Sequence, residues 1–292
     1  MILNYLKLVR TPQWIKNFFV FVPQLFSQHL FDKDYFFTTL LAFVVFCLAS
    51  SFIYVINDII DIEADKAHPV KKNRPLPSGI ISERSALIVA VVLAAVIVTL
   101  LPQLNKEFNY FVTAFVLLNI LYSFWFKHIV ILDVFSIAMG FSIRVLAGAV
   151  VISVPISSWL ILTTMFISLF LGVMKRHSEL ILVAESENAP SRKVLSQYSL
   201  NFADQMATVA AAGVIICYAL YTVSERTVSA FGTENLIYTT PFVVYGIFRF
   251  MYLEYISNKG DNTTKIVFTD LQIILTVIIY TITTVLIIYK II

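Results

Sequence analysis

The sequence predicts an all-α integral membrane bundle of about nine transmembrane helices. The first observation is composition: 292 residues, 59% hydrophobic and 13% charged, with a mean hydropathy of +0.85. That composition belongs to multi-pass membrane chains and not to soluble domains. The second is a set of uncharged runs at residues 35–56, 153–174, 206–224 and 271–289, each long enough to cross a hydrocarbon core of about 30 Å. The third is a one-sided distribution of Lys and Arg among the connecting loops.

Nine spans follow, near 14–31, 36–57, 85–104, 108–126, 129–152, 156–175, 205–224, 237–256 and 267–289. Lys16, Asn17, Pro23 and Gln24 interrupt the first, which reads as a short or tilted helix. Nothing after it resembles a small-residue cleavage site, so it makes a poor signal peptide. Loops after alternate spans share a side. Fifteen Lys or Arg residues fall with the N-terminus and the loops after spans two, four, six and eight, against four on the other side. That bias assigns the first group to the cytoplasm of a cell (inner or plasma) membrane. Two long segments on that side, 58–84 and 176–204, are able to cap a site. With no Gly/Ser-rich linker, residues 1–292 read as one domain.

Several functions are disfavoured. Cys47 and Cys217 sit inside apolar spans and read as packed hydrophobes. The histidines at 29, 68, 128 and 177 form no zinc-binding pattern, and there is no phosphate-binding glycine loop. A transporter concentrates its polar groups at broken helices near the midplane; this chain gathers them on one face.

The chemistry concentrates at the end of the second span, in Asn57-Asp-Ile-Ile-Asp-Ile-Glu-Ala-Asp65. At about 100° per residue, Asp58, Asp61 and Asp65 fall within roughly 60° of one another on a helix, with Glu63 on the far side. Three carboxylates on one stripe at a membrane boundary are costly without a cation. Hard oxygens suit Mg²⁺, with Mn²⁺ as the alternative metal, and Mg²⁺ commonly brings a substrate phosphate with it. The Pro-rich segment that follows carries Lys66, Lys71, Lys72 and Arg74. These are either phosphate clamps or ordinary topology charges. Arg74 is the best placed, because neighbouring prolines hold its backbone.

Other polar residues have two readings each. Lys175, Arg176 and Glu179 close span six, as an anion-binding face or as a Lys175–Glu179 helix-surface pair. Tyr122, Lys127 and Asp133 surround the turn between spans four and five. Asp133 is a functional candidate by its membrane position or a structural partner of Lys127 or Lys175. Arg144 lies about 16 Å beyond Asp133 on one helix face, too far to pair. Gly140 and Gly148 flank Arg144, leaving room for a ligand or allowing close helix packing. Arg10, Gln13, Trp14, Lys16 and Asn17 begin the chain as topology and interface residues or as site residues. Arg249 and Glu254 read as a structural pair, and Asp270 as the cap of the last span.

The Asn-Asp-x-x-Asp-x-x-x-Asp motif at the end of the second span resembles the UbiA superfamily of membrane prenyltransferases. The resemblance covers nearly the whole chain. Within it, Arg10 to Asn17, Asn57 to Gly79 with His68-Pro69 and Asn73-Arg74-Pro75, Tyr122 to Lys127 with Asp133, Arg144 to Gly148, Lys175 to Leu180 and Gly246 to Arg249 resemble the decaprenyl-phosphate (polyprenyl-phosphate) phosphoribosyltransferase branch. The aromatic prenyltransferases of that superfamily carry an acidic motif at the end of span six; here the place is basic, which suits an additional phosphate.

The resemblance implies a Mg²⁺-dependent transferase whose partners are phosphoribosyl pyrophosphate, a polyprenyl phosphate and the membrane, with no nucleic acid. It implies Asp58, Asp61 and Asp65 as metal ligands, joined by Asn57 as candidate catalytic residues. Lys16, Asn17, Lys66, Arg74, Tyr122, Lys127, Asp133, Arg144, Lys175, Arg176 and Glu179 are the implied substrate-binding residues. The alternative it leaves is transfer of a prenyl group from a prenyl diphosphate to an aromatic or other acceptor.

Overall fold

The computed structural model describes residues 2–67, 71–185, 193–256 and 269–291. His68, Pro69, Arg192, Lys259 and Lys265, and part of the expected cap at 176–204, lie outside the described residues. Twelve α-helices occur among the described residues: α1 (Ile2–Leu8), α2 (Val22–Leu25), α3 (Lys33–Ile60), α4 (Ile62–Ala67), α5 (Glu83–Leu100), α6 (Lys106–Phe124), α7 (Leu132–Val151), α8 (Ser158–Glu185), α9 (Leu200–Val223), α10 (Glu225–Phe231), α11 (Thr240–Tyr255) and α12 (Leu271–Ile288). Eight helical stretches among the described residues are long and apolar enough to cross a membrane. They match the second to ninth expected spans. The chain forms two compact units, residues 1–126 with 143–155, and residues 127–142 with 156–292.

The expected first span is the exception. Residues Thr11–Phe21 form a 3₁₀ helix, followed by the single turn of α2. Pro12 and Pro23 open these two pieces, and neither can donate a backbone hydrogen bond. A 3₁₀ run beyond three or four residues is uncommon, and side chains tie this one to α3. Trp14 Nε1 donates to Ser51 Oγ at 2.9 Å, and Asn17 Nδ2 to Cys47 Sγ at 3.3 Å. The Phe18 and Phe21 rings pack tilted against Phe43, with centroids 4.8 and 5.8 Å away. As residue number rises here it falls along α3, so the two run antiparallel. At about 2.0 Å per residue, the 3₁₀ segment follows much of the length of α3 without forming a long α-helix.

The first unit is built around α3. Asp32 caps it, accepting from Asp34 N at 3.0 Å. Ala42, Val45, Phe46, Ala49 and Ile53 recur at helical spacing and pack against Val20, Ile97, Phe108, Val112, Phe115, Ile143, Ala147 and Val151. Phe46 meets Phe108 and Phe115 edge-on, with centroids 5.7 and 5.3 Å away. Hydrocarbon gives little drive for one apolar helix to join another, so close approach of small residues decides membrane packing. Gly148 shows this. A Cβ there would lie 2.1 Å from the carbonyl oxygen of Val20, which resolves the two readings of this glycine in favour of packing. At the end of α3, Leu8, Val55, Leu76, Ile81, Ala86 and Ala90 gather α1, the loop after α4 and the start of α5 into a second small core.

In the second unit α8 and α9 pack most closely. Ala203, Ala207, Ala210, Ala211 and Val214 form the α9 seam against Leu169, Phe170, Val173 and Met174. A Cβ on Gly213 would meet the Phe166 ring at 2.5 Å. The expected Arg249–Glu254 pair is not what the structure shows. Arg249 forks onto Asp270, with Nε–Oδ1 at 3.2 Å and Nη2–Oδ2 at 2.9 Å, and Glu254 accepts the Ser178 hydroxyl. Five residues along one helix place Arg249 and Glu254 on different faces. Asp270 does cap α12 as expected, accepting from Ile273 N at 3.0 Å.

Candidate active site

Asp58 and Asp65 lie two helical turns apart and come together at the end of α3. The helix breaks for one residue at Asp61, with φ −90° and ψ 9°. Asp61 N still bonds Asn57 O at 2.9 Å, and Asp65 N bonds Asp61 O at 2.8 Å. The ladder therefore keeps register through the break, and both outer carboxylates stay on one face. They are only 3% and 2% exposed. Carboxylates this deep require counter-charges.

Three cations of the same unit supply them. Arg74 Nη1 lies 2.6 Å from Asp65 Oδ2 and 3.2 Å from Asp58 Oδ1, bridging the pair. Lys71 Nζ lies 3.4 Å from Asp65 Oδ1. Arg10 Nη2 donates to Asp58 Oδ1, and its guanidinium carbon sits 4.7 Å from the centroid of the Tyr54 ring. The Arg74 loop is held by buried Pro75, Leu76 and Pro77, with Ile81 N bonding Pro75 O at 2.9 Å. Arg10 has the left-handed conformation φ 53°, ψ 49°, which costs a non-glycine residue about 1–2 kcal/mol. Its contacts with Asp58 and Tyr54 offset that strain.

Arg10 and Tyr54 are not among the substrate-binding residues that the resemblance implies. The signal for Arg10 is parity: a first crossing antiparallel to α3 returns residue 10 to the level of Asp58. Lys66 takes another direction. It is exposed and pairs with Glu63 at 2.7 Å, on the side of α4 away from Asp65. That hydrogen bond holds its ammonium above the ordinary lysine range.

Asn17 and Arg144, both expected to bind substrate, meet inside the first unit. Arg144 Nε donates to Asn17 Oδ1 at 2.7 Å, and its guanidinium lies 4.4 Å from the Phe115 centroid. Asn17 also accepts from Ser50 at 3.3 Å. Asn17 is fully buried and Arg144 nearly so, so this pair ties the 3₁₀ segment to α7. Lys16, half-buried on the 3₁₀ segment, and Tyr122, half-buried on α6, belong to the same unit.

In the second unit, Arg176 is 1% exposed and lies 2.9 Å from Glu179 and 3.8 Å from Asp133. Asp133 also accepts the Tyr198 hydroxyl at 2.7 Å, and that hydroxyl accepts Ile131 N at 2.8 Å. Ile131 has φ 72°, costly for a β-branched residue, so the Tyr198 contact fixes a strained turn. Burial and the Asp133 bond hold the Tyr198 phenol above its usual range. Glu179 therefore meets Arg176, three residues before it on the same helix. Beside this group His177 Nε2 lies 3.2 Å from Asp204. Lys175 is exposed and Lys127 half-buried.

Among the described residues, no three Asp, Glu, His or Cys side chains converge as a ready metal set. The Asp58–Asp65 pair nonetheless fits Mg²⁺ in chemistry and number, since that ion takes one or two carboxylates and completes its shell with phosphate and water. The Arg74 guanidinium already stands between the two carboxylates as a cation.

Comparison with known proteins gives a consistent picture. Residues 19–271 match the model of the UbiA prenyltransferase family. A decaprenyl-phosphate phosphoribosyltransferase of Mycolicibacterium smegmatis is 37% identical over 224 residues, covering 75% of this chain and 70% of that protein. One from Mycobacterium tuberculosis is 32% identical over 225 residues, covering 76% and 74%. Among solved structures, a UbiA homologue from Archaeoglobus fulgidus bound to GPP and Mg²⁺ aligns with a TM-score of 0.69 at 16% identity, covering 98% of each chain.

Proposed function

This chain belongs to the UbiA prenyltransferase family as a multi-pass membrane transferase, and within it we propose that it is a polyprenyl-phosphate phosphoribosyltransferase. It moves 5-phosphoribosyl from phosphoribosyl pyrophosphate to a polyprenyl phosphate and releases pyrophosphate. The observation that carries this reading is the buried Asp58–Asp65 pair ringed by Arg10, Arg74 and Lys71. The relatives named decaprenyl-phosphate phosphoribosyltransferase support the substrate assignment. The excess of basic residues in the loops sharing the side of this site supports a cytoplasmic orientation.

The roles follow from charge and position. Asp58 and Asp65, with Asp61 beside them, hold a divalent cation. Such a cation, Mg²⁺ or Mn²⁺, neutralises charge developing on a diphosphate leaving group. Arg74 and Arg10 present guanidinium forks to diphosphate oxygens, and Lys71 adds a point charge. The bond from ribose C1 to the pyrophosphate oxygen breaks, with oxocarbenium character at C1. A phosphate oxygen of the lipid forms the new bond from the opposite face and inverts the centre. That oxygen is already ionised, so the chain needs no strong general base. In the second unit Lys175, exposed on α8, adds a further positive charge.

The test uses purified protein in detergent with Mg²⁺, a short polyprenyl phosphate and phosphoribosyl pyrophosphate. A phosphoribosyl lipid seen by mass spectrometry, and lost with EDTA, supports the reading. Turnover only of a prenyl diphosphate with an aromatic acceptor contradicts it.

A further inference from the structure

The carboxylates at the end of α3 are already neutralised by the chain itself. Asp58 and Asp65 face three cations, Arg10, Lys71 and Arg74; with Asp61 at the same helix end, three acidic residues balance three basic ones. Arg74 reaches both buried carboxylates and occupies the space between them. A divalent cation arriving alone meets a balanced cluster and would add two unopposed charges beside three fixed ones. A diphosphate arriving with it changes that balance, because its oxygens give Arg10, Arg74 and Lys71 a new partner and release the carboxylates.

We propose that Arg74, assisted by Arg10 and Lys71, is an internal counter-ion that blocks binding of a free divalent cation at Asp58 and Asp65, so that metal and diphosphate bind only as a strongly coupled pair. Arg74 then has two positions in function: between the carboxylates at rest, and on the diphosphate when substrate is bound. This inference rests on the reading that the site takes a metal and a diphosphate, and it adds which residues exclude the metal until the diphosphate arrives. One consequence is protective. The site does not fill with cellular divalent cations and wait; its carboxylates become available only with a phosphorylated substrate.

Equilibrium dialysis of the purified full-length chain in detergent, with Mn²⁺ and inorganic pyrophosphate each followed by isotope, tests this without any turnover. Mn²⁺ retained by protein should tighten about tenfold or more when pyrophosphate is present, and linkage requires pyrophosphate to tighten by the same factor when Mn²⁺ is present. Arg74→Gln should raise retention of Mn²⁺ alone several-fold and lower retention of pyrophosphate. Arg74→Lys, which keeps the charge, should leave Mn²⁺ alone weakly held. Asp58→Asn should abolish the coupling. Mn²⁺ held equally with and without pyrophosphate overturns the inference while leaving a metal site in place. Failure to retain Mn²⁺ or pyrophosphate under any condition, with phosphoribosyl pyrophosphate also tried, overturns the reading of the site and the inference with it. The wild-type coupling alone decides the matter should a variant fail to fold.

Discussion

Nη1 of Arg74 lies 2.6 Å from Asp65 Oδ2 and 3.2 Å from Asp58 Oδ1, so one guanidinium joins two carboxylates seven residues apart. That relationship depends on three separate features of the sequence. Helical periodicity puts the carboxylates on one face, the unbroken hydrogen-bond ladder across Asp61 keeps them there, and the buried prolines after Arg74 fix the loop that returns to them. Its first consequence is catalytic. Asp58→Asn should lower kcat about a hundredfold or more, the scale of removing one preorganised electrostatic group. Helical circular dichroism and gel-filtration behaviour in detergent should not change. Near-normal turnover would remove the carboxylate pair from the chemistry.

Gly148 makes a packing prediction with an internal control. Its added Cβ would press 2.1 Å from a backbone carbonyl that no rotamer change can move. Gly148→Ala should destabilise by about 1–3 kcal/mol, the usual cost of overpacking. Gly246, on α11, has nothing within 4 Å of an added Cβ, so Gly246→Ala should be neutral or slightly stabilising. Thermal unfolding of the two variants in one detergent compares them directly. Equal melting temperatures would mean that the 3₁₀ segment is not seated on α7 as described.

Arg176 makes a stability prediction through the two carboxylates beside it. At 1% exposure between Glu179 and Asp133, its removal strands two carboxylates. Arg176→Ala should therefore cost about 3–5 kcal/mol of stability. Combining it with Asp133→Asn and Glu179→Gln should restore part of that loss. A variant of wild-type stability with a raised KM would instead return Arg176 to substrate binding.

The α11–α12 fork gives a pH dependence. The hydrogen bond from Arg249 holds Asp270 below the ordinary carboxylate range. A carboxylate with a depressed folded-state pKa stabilises above its unfolded value, near 3.9, and that contribution is lost as pH falls through the folded value. Wild-type protein should lose more melting temperature than Asp270→Asn as pH drops from about 6 to about 3. Parallel curves would show that the fork adds no pH-dependent stability.

How much of this was legible in sequence differs by element. The eight long helices follow from runs that are apolar along most of their length, although Asp133 and Arg144 interrupt one and Arg249 and Glu254 another. The acidic pair follows from helical periodicity. The 3₁₀ segment does not, because its geometry is set by Trp14 on Ser51 and Asn17 on Cys47, partners 37 and 30 residues away. Arg10 carries the same positive charge as any topology residue; its contact with Asp58 spans 48 residues. Arg176 is legible as basic but not as buried, since the carboxylates that consume its charge come partly from another helix. Proximity in sequence pairs Arg249 with Glu254, whereas the fork needs Asp270 from the next helix.

The central claim is that the site transfers phosphoribosyl and not prenyl groups. Pyrophosphate release measured side by side decides it most directly, using one preparation of purified protein with Mg²⁺. One reaction contains phosphoribosyl pyrophosphate and a polyprenyl phosphate, the other a prenyl diphosphate and an aromatic acceptor, each repeated with Asp58→Asn. The account predicts lipid-dependent release in the first reaction, absent from the variant, and none in the second. Release confined to the second reaction would contradict it.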